Sequence, residues 1–472
     1  MPDSLTRENA TLSAVLLATT PACRLHSGDG TLLDRLGDQL ARLPVREVQV
    51  VGSAGGLGGD LRGVAKIART AAGALAVLPA DLVTHTEALA VLLEHPARST
   101  GALISHDVTG GPLRPPVRVE GGRVVAAGSS FHLVPESNAT FRGVLQVGEA
   151  DLTALADVAE ELAELADTGK LGPVTPVETV DLLLVGLVRS GVRVRAAGIG
   201  PLHADRVIGQ DAADAALARL SEVDEAKVRL DTSVKEDDGF FATFFVSSWT
   251  RHLIKPAVRL KIEPNTVTGV SAGLALLAAV WFAAGTPGGR LAGAALLYLS
   301  FALDCLDGQL ARYTRTFSPL GAWADGMSDR LKEYAVYVGL AFGFGGTEIW
   351  YLAVAAMIAQ VVRHAIDYSY AGAVADAARV GAMWGRPARS LLESRDVRRA
   401  PGGVLRFAQR LERDTIARWL KKIIVLPIGE RMALIAVTAA VWGARVTFLS
   451  LLCWGGVAAL YQLAGRIARS SR

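Results

Sequence analysis

The stretch DCLDGQLAR, residues 304–312, is followed by Gly321, Asp325 and Asp329. It places four carboxylates and an arginine in a part of the chain that is otherwise apolar enough to lie in a membrane. Charged side chains at bilayer depth are costly and therefore often mark functional sites. Four carboxylates close together also repel one another unless cations neutralise them. We therefore expect a metal site in this stretch.

The four acids fall in pairs on two consecutive predicted helices. Asp304 and Asp307 are three residues apart, and Asp325 and Asp329 are four apart, so each pair shares one helix face. The segment 313–320 is short enough to return the second helix antiparallel to the first. Oxygen ligands without a nearby His or Cys favour Mg²⁺ or Mn²⁺ over zinc. Two such ions suit phosphoryl chemistry, because together they hold the attacking and the leaving oxygen.

Small and basic residues between the acids extend the pattern. Gly308 and Ala311 leave space for the close approach of a ligand, and Arg312 can hold a phosphate through two parallel hydrogen bonds. Gly321 permits close packing at the start of the second helix. We interpret Cys305 as a small packing residue.

The whole pattern DxxDGxxAR-x8-GxxxDxxxD over residues 304–329 resembles the signature of the CDP-alcohol phosphotransferase family, also called CDP-alcohol phosphatidyltransferases. That family has six membrane spans, an interfacial helix before the first span, and its signature across spans two and three. The resemblance implies a reaction in which an alcohol hydroxyl attacks the β-phosphorus of a CDP-linked donor and releases CMP.

The resemblance also implies a role for each residue of the signature. Asp304, Asp307, Asp325 and Asp329 would be metal ligands for Mg²⁺ or Mn²⁺, with two ions expected. Asp329 would also be the catalytic base. The residues implied to bind the CDP portion are Asp304, Asp307, Gly308, Ala311, Arg312, Gly321, Asp325 and Thr268. The implied partners are a CDP-linked donor, an alcohol or phosphorylated alcohol acceptor, the lipid bilayer, and a second copy of the chain in a homodimer formed through the membrane domain.

Residues 263–472 are predicted to form an all-α membrane domain with six spans. Each apolar run is close to the ~20 residues that a helix needs to cross the hydrocarbon. The runs are 265–284, 291–312, 321–344, 348–370, 424–442 and 445–466. Residues 231–262 are predicted to be a charged linker followed by an interfacial amphipathic helix, because aromatic residues 240–249 are followed by several cations. The alternative is an amphipathic helix docked on the first domain.

The distribution of cations predicts the orientation. Residues 251–261, 312–315 and 379–422 are rich in arginine and lysine, whereas the opposite connections carry only Arg290 and Arg445. The N-terminus lacks the pattern of a signal peptide. We therefore expect a multi-pass cell-membrane protein whose N-terminal domain and active site face the cytoplasm, with an amphipathic cytoplasmic helix of unknown role over residues 386–418.

Residues 1–230 are predicted to form an α/β domain with a mainly parallel, Rossmann-type sheet, because strand and helix patterns alternate. Strand patterns occupy 12–20, 47–51, 74–79 and 101–106, and helical patterns occupy 31–43, 62–72, 85–95, 150–167, 177–190 and 211–228. The order resembles a sugar-nucleotide nucleotidyltransferase. The resemblance rests on LLDR (32–35), VREV (45–48) and LPAD (78–81), the last ending at Asp81 where that family has an acidic metal ligand.

This domain departs from the nucleotidyltransferase pattern after its first strand. The family has a glycine-rich loop there that holds a triphosphate through backbone amides, whereas residues 18–24 read ATTPACR, without glycine and with Pro21 removing a donor. Two readings stay open: a working transferase, or a degenerate copy kept as a scaffold or ligand sensor. We favour the second, with Asp81 and Asp107 as solvated loop acids. The glycine-rich residues 52–59 are a weak candidate for phosphate binding.

Cations late in the membrane half are candidates for binding the acceptor. Arg363 and His364 lie in the fourth predicted span, and Lys421, Lys422 and Arg431 flank or enter the fifth. They favour a phosphorylated acceptor such as inositol phosphate or glycerol phosphate. The alternative is that these side chains extend toward lipid headgroups.

The fusion of the two halves resembles the bifunctional inositol-phosphate cytidylyltransferase/phosphotransferase enzymes, which implies CDP-diacylglycerol or CDP-inositol as donor. The alternative function is a non-catalytic membrane scaffold or nucleotide-binding sensor. A net charge of +3, without a basic stripe interleaved with aromatics, argues against nucleic acid as a partner. Three widely spaced cysteines argue against a disulfide framework and against the usual zinc site.

Overall fold

The computed structural model describes residues 12–52, 55–95, 97–234, 239–316, 319–383 and 415–470. The chain divides into two compact units between residues 228 and 229. The predicted helix over 386–418 lies almost wholly outside the described residues, as do Ser53 and Ala54 of the glycine-rich stretch.

The N-terminal unit consists of short strands and helices that alternate along the chain. Its strands are β1 (Leu12–Ala18), β2 (His26–Ser27), β3 (Gly30–Thr31), β4 (Glu47–Gly52), β5 (Ala74–Pro79), β6 (Leu82–Thr84), β7 (Gly101–Ser105), β8 (Pro116–Glu120), β9 (Arg123–Ala127), β10 (Ala139–Val147), β11 (Val194–Gly198) and β12 (Ala204–Arg206). Its helices are α1 (Leu32–Ala41), α2 (Gly56–Thr70), α3 (Thr86–Leu93), α4 (Leu152–Asp167), α5 (Thr179–Arg189) and α6 (Gln210–Leu220), with α7 (Glu225–Ser233) at the division between the units.

Helices cover both faces of the central sheet. On β1, Val15 and Leu17 pack with α2, α4 and α5, whereas Leu12, Ala14 and Leu16 pack with α1 and α3. Because successive side chains of a strand point to opposite faces, a strand buried on both faces reads as a nearly continuous apolar run. This explains the sequence LSAVLLA and confirms the α/β class.

The sheet is mixed: six of its eight strands run in one direction, as expected of a mainly parallel sheet, and β9 and β10 run against them, which departs from a Rossmann-type sheet. Its strand order is β4-β1-β5-β10-β7-β11-β9-β8. β1 is parallel to β4 and β5, but β10 is inserted antiparallel between β5 and β7. The sequence pattern missed β10 because Arg142, Gly143 and Gln146 interrupt its apolar run, although all nine of its residues are buried. The register also shifts at this point, where Gly143 has a φ of +81°.

The membrane unit begins with a π-helical turn (Ala242–Val246) and consists otherwise of helices. They are α8 (Ser247–Arg259), α9 (Pro264–Ala283), α10 (Pro287–Thr314), α11 (Pro319–Phe344), α12 (Thr347–Met383), α13 (Thr415–Val425), α14 (Ile428–Val441) and α15 (Ala444–Ser470). The predicted interfacial helix coincides with the π-helical turn and α8, where Phe244 and Phe245 are exposed. Its position at a membrane surface stays a prediction.

Four described helices are long and apolar enough to cross a membrane. They are α9, α10, α12 over Thr347–Tyr370 and α15 over Ala444–Arg466; a fifth span results if α13 and α14, bent by 69° relative to each other, are taken together. The remaining predicted span falls on α11, which carries Asp325, Asp329, Arg330, Lys332 and Glu333 and is too charged by composition alone. The count of six spans therefore stays a prediction.

Small residues let α11 approach α9 closely. A Cβ atom at Gly339 would overlap the carbonyl oxygen of Ala279, and one at Gly343 would overlap that of Phe282. Glycines four residues apart are a common device for close packing of membrane helices.

Helix α10 starts at Pro287, and the Thr286 hydroxyl before it accepts a hydrogen bond from the Gly289 amide.

Candidate active site

Three signature acids form one compact group. Asp304 and Asp307 lie in the last three turns of α10, and Asp325 lies near the start of α11. One carboxylate oxygen from each lies within 4.8 Å of the other two. Ligands on opposite sides of one Mg²⁺ or Ca²⁺ ion are about 4–5 Å apart, so this spacing suits a single divalent cation. The donor chemistry and the spacing both fit the expected metal.

Thr268 on α9 holds one of these acids in place. Its hydroxyl lies 2.5 Å from Oδ2 of Asp307, and the Asp307 side chain is almost fully buried. The sequence indicated Thr268 as a contact to CDP; in the structure, its hydroxyl contacts a predicted metal ligand. Gly308 and Arg312 lie side by side on α10, since a Cβ at Gly308 would be 3.3 Å from Nη1 of Arg312. Nε of Arg312 donates to the Ser233 carbonyl at 2.5 Å.

Asp329, the predicted fourth ligand and catalytic base, is bound to a lysine. Oδ1 of Asp329 lies 3.1 Å from Nζ of Lys332, and the same ammonium bonds Asp304. Lys332 is 5% exposed. The sequence analysis missed this residue, although a cation three residues after Asp329 in an apolar segment is the same signal that identified the acids.

A cavity of about 240 Å³ is lined by Asp329, whereas Asp304, Asp307 and Asp325 are not among its lining residues. Its lining residues are Gly326, Asp329, Arg330, Glu333, Arg363, His364, Asp367, Ile428 and Arg431. Three of the five predicted acceptor residues are therefore brought together: Arg363, His364 and Arg431. The sequence analysis missed Arg330, Glu333 and Asp367.

Arg431 is fixed by a buried acid on α11. Its Nε and Nη2 each donate to a different oxygen of Glu333 at 3.2 Å, and Glu333 is 1% exposed. The Tyr337 hydroxyl also donates to Glu333, at 2.6 Å. Bidentate pairing fixes the plane of a guanidinium, so Arg431 keeps a defined orientation at the cavity wall.

The other arginines of the cavity are held by backbone oxygens, for Arg363 from another helix and for Arg330 from its own. Nη2 of Arg363 donates to the Val425 carbonyl at 2.6 Å, and Nη1 of Arg330 donates to the Gly326 carbonyl at 2.8 Å. Asp367 pairs with Arg466. Nε2 of His364 is buried and has no hydrogen-bond partner among the described residues.

Two predicted acceptor residues lie outside this cavity lining. Lys421 is exposed on α13. Nζ of Lys422 lies 4.8 Å from the ring centroid of Trp419, an ordinary cation–π distance. Both lysines fall one to two turns before the break between α13 and α14, whereas Arg431 follows it.

In the N-terminal unit, the expected metal ligand Asp81 is buried against an arginine. Nε and Nη2 of Arg206 donate to the two oxygens of Asp81 at 2.8 and 3.0 Å. Both side chains are at most 3% exposed. This corrects the interpretation of Asp81 as a solvated acid, whereas the side chain of Asp107 is 45% exposed. The pairing of β12 with β6 places Arg206 opposite Leu82, beside Asp81.

A second acid lies close to the same guanidinium. Oδ2 of Asp181 is 3.6 Å from Nη1 of Arg206. Burial raises the pKa of Asp181 to about 7, although Arg206 acts in the opposite direction. After β1, residues 21–24 form a 3₁₀ turn beginning at Pro21, and the Thr20 hydroxyl donates to Asp81 at 3.2 Å. Arg206 and Thr20 thus both donate hydrogen bonds to the Asp81 carboxylate, which a metal ion would need as a ligand.

Comparisons with known proteins agree with the aspartate pattern. Residues 261–393 match the family model for CDP-alcohol phosphatidyltransferase. The phosphatidylinositol phosphate synthase of Mycobacteroides abscessus is 32% identical over 149 residues, which are 30% of this chain and 65% of the relative. The chain thus spans slightly less than two thirds of the length of the curated relative that it matches.

Solved structures similar to this chain cover its N-terminal part. The inositol-1-phosphate CTP transferase from T. maritima is 13% identical, with a TM-score of 0.33 over 45% of this chain and 98% of that one. The CTP:phosphocholine cytidylyltransferase from Streptococcus pneumoniae is 12% identical, with a TM-score of 0.30 over 44% of this chain and 98% of that one. The match to the CDP-alcohol phosphatidyltransferase model over residues 261–393 thus covers the aspartate signature and falls in the membrane half of this chain.

Proposed function

We propose that this protein is an integral membrane CDP-alcohol phosphotransferase that transfers a substituted phosphoryl group from a CDP-linked donor, such as CDP-diacylglycerol, to a phosphorylated alcohol. The observation that carries this proposal is that Asp329 lines a cavity together with three arginines and shares the ammonium of Lys332 with Asp304 of the three-acid group. One side suits a metal-bound pyrophosphate, and the other suits an acceptor that carries a phosphate.

The donor side of the site is acidic and would hold Mg²⁺ or Mn²⁺. Asp304, Asp307 and Asp325 are the proposed ligands, and bound ions would neutralise the donor's pyrophosphate and make its β-phosphorus more electrophilic. Gly308 leaves the face of α10 open for the nucleotide. Arg312 lies beside it and is the proposed donor to a phosphate oxygen.

Asp329 is the proposed catalytic base. Its carboxylate lines the cavity in which the acceptor would bind, so it can accept the proton of an acceptor hydroxyl. The acceptor oxygen then forms a bond to the β-phosphorus, and the bond from that phosphorus to the oxygen of CMP breaks. CMP leaves with that oxygen and its electron pair.

The cavity supports an acceptor with a phosphate group. Arg330, Arg363 and Arg431 line it, and planar guanidiniums bind phosphate oxygens in pairs. His364 adds a buried ring nitrogen that can donate to or accept from a hydroxyl. The name of the curated relative, phosphatidylinositol phosphate synthase, supports inositol phosphate as the acceptor to test first, with glycerol phosphate as the second.

A panel of donors and acceptors tests this function. Membranes containing the full chain are supplied with CDP-diacylglycerol or CDP-inositol and with inositol phosphate, glycerol phosphate, free inositol or no acceptor, and CMP release is measured. We expect release to require a phosphorylated acceptor and a divalent ion. Equal release with free inositol would refute the role of the arginines, and no release with any pair would favour the alternative, a non-catalytic scaffold or nucleotide sensor.

We infer that the N-terminal domain is a degenerate nucleotidyltransferase. The bidentate Arg206–Asp81 pair and the 3₁₀ turn at Pro21 support this inference. The test is CTP-dependent release of pyrophosphate by full-length protein carrying Asp325→Asn, which disables the membrane site. We expect none with inositol phosphate as substrate. Pyrophosphate release by this variant would show a working transferase.

The orientation of the protein in the membrane and its assembly into a homodimer are further proposals. The gathering of cations at residues 312–315 supports an active site that faces the cytoplasm. Labelling of single introduced cysteines from either side of sealed vesicles tests it. The homodimer stays a prediction from the family resemblance, and cross-linking in native membranes would test it.

A further inference from the structure

Lys332 lies inside the acidic site and not at its edge. Its side chain is 6% exposed, and Nζ bonds Asp304, lies 3.1 Å from Asp329 and lies 3.2 Å from the Ser271 hydroxyl. Two of the three donor hydrogens of this ammonium have hydrogen-bond acceptors, on Asp304 and Ser271, and Asp329 lies within ion-pair distance. Polar groups from three residues thus surround a nearly buried ammonium.

The Ser271 hydroxyl, which accepts from Lys332, is itself fixed in position. The Ser271 hydroxyl contacts the Ser300 carbonyl at 2.9 Å, and Ser300 donates back to the Ser271 carbonyl at 2.8 Å. Both serines are buried, on α9 and α10. The two helices thus hold a polar position that receives the ammonium.

The same ammonium competes with a metal ion for one ligand. Asp304 belongs to the three-acid group, and one of its oxygens bonds Lys332. A positive charge at hydrogen-bond distance from a ligand repels an incoming cation and occupies an electron pair that the cation would use. Without Lys332, four acids would be left with less of the positive charge that holds them together in the absence of metal.

We propose that Lys332 is a built-in counter-ion of the acid group, and that a divalent ion displaces it from Asp304. This rests on the metal site of the proposed function. Lys332 keeps Asp329 and Ser271 as acceptors when it releases Asp304, and its unbranched stem allows this movement. The lysine stabilises the metal-free site and weakens metal binding by the same interaction. It is a positioning residue, since it acts on metal ligands.

The test is a direct measurement of metal binding. Full-length protein in lipid nanodiscs is purified with Mn²⁺ and dialysed, and Mn²⁺ binding is then followed by the electron paramagnetic resonance of free Mn²⁺. Removing the charge with Lys332→Gln or Lys332→Met should tighten binding by about tenfold or more, the scale of one close charge–charge interaction in a protein. Lys332→Arg keeps the charge and should stay near the wild-type affinity.

A second measurement separates a counter-ion from a residue that only packs. In chelator, Lys332→Gln should unfold at a lower temperature than wild type, and Mn²⁺ should restore more of its stability than it adds to wild type. Arg445→Gln is the matched control, because it removes one exposed cation at the opposite end of the bundle, where its partner is Glu348. Arg445→Gln should change neither the unfolding temperature in chelator nor the stability gained on adding Mn²⁺.

The outcomes are distinct. Unchanged or weaker Mn²⁺ binding in both Lys332→Gln and Lys332→Met, with wild type binding normally, would overturn the counter-ion and leave the proposed function standing. If wild type itself binds no Mn²⁺, the proposed metal site fails, and the counter-ion role fails with it.

Discussion

The two halves of this chain each bring a basic side chain onto buried aspartates, but the charges balance differently. In the membrane half, one ammonium, Lys332, contacts two of four signature acids. In the N-terminal half, one guanidinium, Arg206, binds both oxygens of Asp81 and lies near Asp181. Lys332 is shared between two carboxylates of the signature, whereas Arg206 donates twice to one carboxylate, and burial raises the pKa of the second acid, Asp181, to about 7.

The difference indicates when a group of acids can serve as a metal site. A group of acids can bind a metal ion under two conditions. Its negative charge must exceed the charge of the protein's own cations around it, and one of those cations must be able to move away. A lysine on a flexible stem can release one acid and keep another. A buried, bidentate arginine cannot do this without leaving charges unpaired at low dielectric. Aspartates and a basic residue are thus compatible with metal binding in the membrane half. In the N-terminal half, which we call the closed site, the arginine occupies the carboxylate that a metal ion would need.

The largest effect is expected from removing an acid of the membrane site. Asp325→Asn should lower CMP release by at least about 10³-fold, because a metal ligand and a negative charge are lost together. Mn²⁺ binding should weaken in parallel. Asp107→Asn, which alters an exposed acid of the N-terminal half, is the control and should keep wild-type activity. Substantial turnover by Asp325→Asn would contradict the assigned site.

The closed site should respond to loss of its cation by losing stability. Arg206→Met leaves Asp81 and Asp181 buried without their partner and should cost about 3–5 kcal/mol of unfolding free energy. The matched control is Arg62→Met, which also removes an arginine from an aspartate, Asp167, but in a pair that is 51% exposed on both sides. That change should cost much less stability, because solvent screens an exposed ion pair.

Pulse proteolysis of the full chain across a urea series measures both variants, with fragments of the N-terminal unit as the readout. Equal losses of stability in Arg206→Met and Arg62→Met would show that the buried Arg206–Asp81 pair is no more important for stability than an exposed pair. Arg206 would then not be holding Asp81 away from a metal ion.

These two sites also differ in how far the sequence could predict them. Helix periodicity alone placed Asp304 with Asp307 and Asp325 with Asp329, and the short connection brought three of the four into one group. Spacing within helices carries such information because both partners of a pair lie on one element. The same reasoning applied to Lys332 would have found it.

The Arg206–Asp81 pair was not predictable in this way. The two residues are 125 positions apart and meet because β12 pairs with β6, two three-residue strands whose pairing no local pattern indicates. Local sequence therefore predicts a solvated loop acid at Asp81, whereas the structure buries it against Arg206. The antiparallel β10 was missed for a related reason, since tertiary burial overrode the polar residues in its sequence.

A buried acid with no cation at all extends the comparison. Asp60 is fully buried, and neither of its carboxylate oxygens has a hydrogen-bond partner among the described residues. Burial raises its pKa from 3.8 to about 6. The folded state therefore binds a proton more tightly than the unfolded state, and this contribution to stability is present below about pH 4 and lost as the pH rises through 6.

The shift of about two units predicts that wild type loses up to about 3 kcal/mol of stability in the N-terminal unit between pH 4 and pH 7 relative to Asp60→Asn. The measurement is the urea midpoint by pulse proteolysis, with a protease chosen for activity across that range. Asp38→Asn, an exposed acid on α1, is the control and should follow wild type. Parallel pH profiles for wild type and Asp60→Asn would show that Asp60 does not titrate in this window.

The smallest effect is expected at the cavity, where charges of both signs are present together. Arg363 lines the cavity and is held by the Val425 carbonyl at 2.6 Å, so Arg363→Gln removes a fixed cation from the proposed phosphate position. The KM for the phosphorylated acceptor should rise by about tenfold, the loss of one charge-assisted contact, while kcat changes little because the proposed role of Arg363 is binding and not the chemical step. Lys421→Gln removes an exposed cation outside the cavity lining and should leave both constants unchanged. A rise in KM for free inositol as large as that for inositol phosphate would mean that Arg363 shapes the cavity and does not bind phosphate. An equal effect of Lys421→Gln would indicate that the acceptor's phosphate binds near α13 and not at the arginines that line the cavity with Asp329.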